Sequence, residues 1–240
     1  GRIQIANTSN TGSPSAGSTV NFNTITNPSI SGNNQNTFYI RVVTYSDDAW
    51  TTPIDSGAVA GSVTNQIQVT ASVDETLNFC AFQTGTTCAN GTGTTVALGT
   101  LSSSTATSST SKLVAGTNAT SGYVIQYTGA TLTSGGNTIT ATGTAGATSS
   151  TGSSQFGINL VANTAPTVGS APSGGTGAAS TNYATSNTFS FVPSTLTQVA
   201  AAAAASADTL FTVSYLANIP ANQTAGAYST TLTYICTATF

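Results

Sequence analysis

The sequence is almost without charge. Arg2, Arg41 and Lys112 are its basic residues and Asp47, Asp48, Asp55, Asp74, Glu75 and Asp208 its acidic ones, together 4% of 240 positions, where ordinary soluble domains carry roughly 25%. No basic patch can form from three scattered cations, so counterion release cannot drive binding and nucleic acid is excluded as a partner. Electrostatic attraction to an anionic membrane is excluded on the same ground. Histidine and methionine are absent, which removes the commonest general base, the commonest transition-metal ligand and the proton switch near neutral pH. A nucleophilic Ser or Thr would be left with Lys112 as its only base, and no motif supports that arrangement. The chain therefore reads as a non-enzyme without cofactor. No apolar run reaches the ~18 residues that would span a bilayer as a helix.

What is present is the material of β-sheets. Hydrophobic residues make up 38% of the chain, and Val, Ile, Thr, Tyr and Phe recur throughout, which separates it from disordered sequences. Ser, Thr, Asn and Gln take the surface positions that Lys and Glu usually hold. At the C-terminus Tyr228, Leu232, Tyr234, Cys236, Ala238 and Phe240 share one parity, with Ser and Thr on the other, a strand with one buried face. Similar patterns predict strands at residues 20–26, 37–45, 66–73, 76–82, 95–98, 123–128, 138–142, 155–161, 188–191 and 210–216. Gly and Asn clusters such as Gly32-Asn33-Asn34, Asn90-Gly91 and Ser134-Gly135-Gly136-Asn137 separate them, as tight turns require. The alanine run inside residues 196–207 predicts a short helix, and the Ser/Gly/Thr-rich stretches 102–111, 145–154 and 164–180 read as connections. The fold expected is all-β, an antiparallel β-sandwich of immunoglobulin-like or jelly-roll-like type. Its organisation would be an N-terminal arm and linker, 1–18, before a body at 19–240 with a subdivision near 74.

Several residues invite a chemical reading. Cys80 and Cys88 flank a short run that a hairpin could close, which favours a disulfide in an oxidising compartment and leaves Cys236 over. Asp47, Asp48 and Asp55 cluster around Trp50, where calcium binding is weighed against solvated turn aspartates. Lys112 could join an acid such as Glu75 in an intramolecular isopeptide bond, or stand as a charge guarding a strand edge. Asn7, Asn90, Asn118 and Asn222 begin glycosylation sequons. Trp50 with Tyr45 could present aromatic faces to a glycan. Arg2, Ile3, Gln4 and Ile5 alternate like a strand but are freed by the Ser/Gly/Pro linker at 8–18, so they could pair at home or serve as a donor strand for a neighbouring copy. Gly1-Arg2-Ile3 reads as the start of a mature product after removal of an export signal.

The segments TLNFC (76–80), VALGTL (96–101), TNATSGY (117–123), QFGINLVANT (155–164) and GAYSTTLTYICTATF (226–240) resemble secreted, Thr/Ser/Gly-rich surface proteins of small-genome bacteria of the candidate-phyla type. That resemblance implies a cell-surface location more than a mechanism. Ala225-Gly226-Ala227-Tyr228 leading into an alternating last strand is similar, over little more than that strand, to pilins of the chaperone-usher and spore-coat types. It implies a terminal strand that lines an acceptor groove.

Sheet edges are normally protected by charge, above all Lys, because their unpaired N–H and C=O groups recruit other chains. A chain this poor in Lys has few such guards. The function expected is a structural subunit of an extracellular filament, partnered by copies of itself through strand pairing. The alternative is a surface-layer or adhesin protein partnered by a host surface or glycans.

Overall fold

The computed structural model describes residues 2–6, 21–23, 26 and 36–240. The linker at 8–18, Asn7 and residues 20, 24 and 25 of the strand expected at 20–26 lie outside the described residues, and 21–23 and 26 join no ladder. The chain separates into two compact units, Gly1–Ser72 and Val73–Phe240.

In the first unit β1 (Asn36–Tyr45) and β2 (Pro53–Val63) form an antiparallel hairpin. Alternation made β1 legible, but β2 was not expected, because Asp55, Ser56, Gly57 and Gly61 dilute its β-branched pattern. Gly61 lies opposite Phe38, and a Cβ added there would come 2.5 Å from the ring, so the aromatic side chain covers bare backbone. Tyr39, Val42, Ile54 and Val59 are exposed.

The second unit carries, in chain order, β3 (Leu77–Phe82), β4 (Thr107–Thr117), β5 (Tyr123–Gly129), β6 (Thr133–Ser134), β7 (Asn137–Thr138), β8 (Gly143–Ala147), β9 (Gln155–Asn159), β10 (Asn163–Thr164), β11 (Thr167–Val168), β12 (Ser173–Gly174), β13 (Ala178–Ala179), β14 (Phe189–Phe191), β15 (Thr197–Ala202), β16 (Ser206–Asn218) and β17 (Leu232–Ala238). A large sheet runs β3-β4-β16-β9-β14-β8, with β12 beside β16, and a smaller one runs β13-β15-β5-β17. The ladders are antiparallel, and the two sheets pack as an all-β sandwich. Leu113, Phe156, Ile158, Phe211 and Val213 from the large sheet meet Tyr123, Ile125, Tyr127 and Val199 from the small one in a single core. Each fully buried side chain of this size contributes about 1.5–3 kcal/mol.

Strand β16 is buried on both faces from Phe211 onward. Phe211, Val213, Tyr215 and Ala217 face the core, while the opposite parity is covered by the chain around Ser170, whose hydroxyl bonds Thr212 (2.7 Å). Gly169, with φ 84°, makes that approach: a Cβ there would fall 2.2 Å from Ser214 Oγ. Asparagine side chains fasten the adjoining loops. Buried Asn159 donates to the carbonyls of Thr185 and Thr188 (both 2.8 Å) and accepts from Val161 N–H and Asn163 Nδ2. Asn163 in turn accepts from Asn187 N–H (2.7 Å), and Asn187 Oδ1 accepts from the amides of Thr164 and Ala165.

Several expectations are corrected. Residues 196–207 form no helix: Thr197–Ala202 is a strand, because it lies between β13 and β5 where Val199, Ala200 and Ala202 are buried, and such packing outweighs alanine's weak intrinsic helix preference. Residues 66–73 and 95–98 carry strand alternation but join no ladder. Of 138–142 only the first residue pairs within a strand, and Ala141 makes a lone bridge to Phe156. The supposed connection 102–111 contains the start of β4, whose Ser and Thr residues pair with β16 and are largely half-buried, β3 joining only from Lys112 onward. Strand β8 likewise begins before, and extends into, the 145–154 stretch, and β10 to β13 fall within or beside 164–180.

Asn159→Ala should orphan several buried backbone groups at once. At ~1–3 kcal/mol for each group left unsatisfied, thermal unfolding should fall by roughly 5 °C or more, whereas Asn137→Ala in an exposed turn should leave it unchanged.

Candidate functional site

The sandwich is open along one side. Strand β3 is the last strand of the large sheet and β17 the last of the small one, and between them lies a groove of about 1120 Å³. Its floor is core: Leu132, Phe156, Tyr215 and Tyr234. One wall is the stretch 94–101 and the other is the chain from Ile219 and Gln223 to Leu232. None of the lining residues carries a charge.

The wall at 94–101 has an unusual hydrogen-bond inventory. Val96 and Leu98 are half-buried against the core while Thr95, Ala97 and Gly99 face solvent, the alternation of a strand. Yet none of these eight residues makes a hydrogen bond with another described residue. A backbone in this state offers its donors and acceptors to whatever comes next. The disulfide Cys80–Cys88 (Cα–Cα 5.7 Å) closes the loop leading to this wall, and Asn90 Oδ1 accepts from the amides of Thr86 and Thr87 (both 2.9 Å) to fix the loop's course. The opposite wall is shaped by Tyr228, whose hydroxyl accepts from Gln223 Nε2 (2.6 Å) and donates to Thr224 carbonyl (2.8 Å).

Polar atoms on the floor satisfy each other. The hydroxyls of Ser111 and Tyr215 are 3.0 Å apart, as are those of Tyr215 and Tyr234. Burial raises the pKa of both phenols, Tyr234 well above the ordinary tyrosine value, so the groove stays uncharged at neutral pH. Sequence reasoning had the alternation of β17 and of 95–98, and the pilin resemblance implied a groove along the last strand, but the wall at 94–101 was not expected, because nothing in its pattern shows that it lacks a ladder partner.

The other nominated residues are placed as follows. Asp47 sits in the turn between β1 and β2, where its carboxylate accepts from Thr51 N–H (2.8 Å) and Thr52 N–H (2.6 Å); the Thr51 bond leads in holding its pKa below the usual carboxylate value. Asp55 accepts from Ser56 N–H. No group of three His, Cys, Asp or Glu able to hold a metal occurs among the described residues, so Asp47, Asp48 and Asp55 are not brought together. Trp50 and Tyr45 are half-buried at the same end of the hairpin. Lys112 is not an edge guard, since β4 lies between β3 and β16. Its Nζ donates to Thr212 Oγ1 (2.6 Å), with no carboxylate partner among the described residues, and burial lowers its pKa.

Asn118 uses its amide to donate to Asp74 carbonyl (2.7 Å) and accept from Thr76 N–H (2.8 Å). Asn222, in an exposed turn, leaves its amide unengaged. Arg2, Ile3, Gln4 and Ile5 are exposed and in no ladder. No helix is long and apolar enough to cross a membrane among the described residues. Comparison with protein-family models, curated proteins and solved structures finds no match.

Cys236 is the free, half-buried cysteine of β17, and burial pushes its thiol up to about 11. Its alkylation by iodoacetamide in the folded protein should therefore be slow at pH 8, where the thiol is protonated, and should rise as pH approaches 11; a rate at pH 8 equal to that of a free cysteine peptide would contradict this.

Proposed function

We propose that this chain is a structural subunit of an extracellular filament, joined to its neighbours by β-strand pairing. One observation carries the reading: the strands that end the two sheets are unguarded. LNFCAF in β3, GTAGA in β8, Ala-Ala in β13 and LTYICTA in β17 contain no charged residue and no proline. The charges of this unit are elsewhere, Lys112 and Asp208 on the interior strands β4 and β16 and Asp74 and Glu75 before β3. Proteins that live as dispersed monomers block such edges with charge, proline or cover.

The groove between β3 and β17 adds a second support, for it opens the core where one more strand would close it. The hairpin β1–β2 adds a third: an isolated two-stranded ribbon is marginal in water, and this one exposes apolar side chains whose burial requires a partner. The disulfide accords with an oxidising location outside the cell. The sequence nominates Arg2–Ile5 as the donated strand, and Ile3 and Ile5 are exposed there, but the arm brings only these two apolar side chains and a charge. An adhesin reading rests on Trp50 and Tyr45 and is separated by binding to a glycan array.

Placing an inward-pointing charge in the groove supplies the missing guard. Leu98→Lys should leave purified protein dispersed under negative-stain electron microscopy at concentrations where the unaltered chain forms filaments, with Leu196→Lys, at an exposed site before β15, as the control that still assembles. Equal polymerisation by all three would overturn the groove's role. Because the lining is uncharged, assembly should also persist in ~1 M NaCl, where the Debye length is ~3 Å and ion pairs are screened.

A further inference from the structure

The groove has a counterpart in the same chain. Residues 66–73, Gln-Ile-Gln-Val-Thr-Ala-Ser-Val, place Ile67, Val69, Ala71 and Val73 on one parity and Gln66, Gln68, Thr70 and Ser72 on the other. This is the pattern of a strand with one buried face. In the structure they bury neither face: Ile67, Val69 and Val73 are 90%, 89% and 87% exposed, and the segment makes no hydrogen bond with another described residue. Three β-branched aliphatic side chains left in water within eight residues, with every backbone donor and acceptor open, are a strand without a sheet.

From this complementarity, and resting on the assembly reading above, we infer that residues 66–73 of a second copy fill the groove between β3 and β17. The matching features are independent of one another. The segment carries no charge, glycine or proline, and the groove lining carries no charge. Its eight residues span ~26 Å as a strand and equal in number the unbonded wall 94–101. Strand β17 is paired on one side only, with β5, so an entering strand finds open backbone on both flanks. With Ile67, Val69, Ala71 and Val73 turned to the floor, Gln66, Gln68, Thr70 and Ser72 return to water.

The N-terminal arm offers half as many apolar side chains and brings Arg2 with it. Residues 74–76 lead from this segment into β3. Asn118 holds both ends of that stretch, Asp74 carbonyl and Thr76 N–H, and Thr117 Oγ1 donates to the Thr76 carbonyl (2.7 Å). Those bonds fasten the stretch to Thr117 and Asn118 at the end of β4.

The test uses two full-length variants. Ile67→Asp with Val69→Asp spoils the donor at exposed positions, so the fold survives and far-ultraviolet circular dichroism should match the unaltered chain; Leu98→Lys spoils the acceptor. Each alone should stay dispersed. Mixed in equal amounts they should form a discrete 1:1 dimer by light scattering and stop there, because one copy has the only working donor and the other the only working groove. Removal of residues 1–7 should leave polymerisation intact. Filaments from the Ile67→Asp, Val69→Asp variant equal to those of the unaltered chain would overturn this inference while leaving strand-paired assembly to another donor. An unaltered chain that stays monomeric at every concentration would overturn both.

Discussion

Every buried or edge-placed backbone amide has to be bonded to something, and this sandwich leaves two rows of them open where its two sheets come apart. Along much of the molecule the obligation is met within the chain: β4 from Lys112 onward lies between β3 and β16, and β9 and β14 extend the large sheet towards β8. At β17 and at residues 94–101 it is not met. The apolar side chains that line this gap are continuous with the core, so the cost of leaving it empty falls on hydrogen bonding and on hydrophobic burial together. The functional reading follows from that one deficit.

The shortage of charge shapes the interior as much as the edges. Where another protein would use ion pairs to fasten loops, this one uses uncharged amides and hydroxyls: Asn159, Asn163 and Asn187 form one such chain of bonds, Ser111, Tyr215 and Tyr234 another. Neutral groups lose less on burial than charged ones do, and once fully bonded they specify a single arrangement. They also leave the surface with little long-range repulsion, so nothing electrostatic holds copies apart.

Much of the fold was legible in the sequence, for a physical reason. Alternation reports a strand with one wet face, and β5 and β17 have that character, while β1 and β3 were legible from their β-branched and aromatic residues. Strands without it were missed: β2 is diluted by Gly57 and Gly61, the first half of β4 is largely half-buried Ser and Thr paired with β16, and β15 is written largely in alanine. The disulfide partners were legible from spacing alone. The groove's wall at 94–101 was not, because alternation shows that a segment can form a strand and says nothing of whether a partner exists. Residues 66–73 and 95–98 were read as strands on sound grounds, and their lack of partners in a single chain is the most informative disagreement between sequence and structure.

Hydrogen exchange at residues 94–101 tests the central claim most directly. In dispersed protein these amides have no acceptor and should exchange at nearly the rate of an unstructured peptide. In assembled material alternate amides along the stretch, and those on the free side of β17, should slow by orders of magnitude as a neighbour's strand pairs with them. Assembled material in which both stretches exchange as fast as in the dispersed chain would contradict the account.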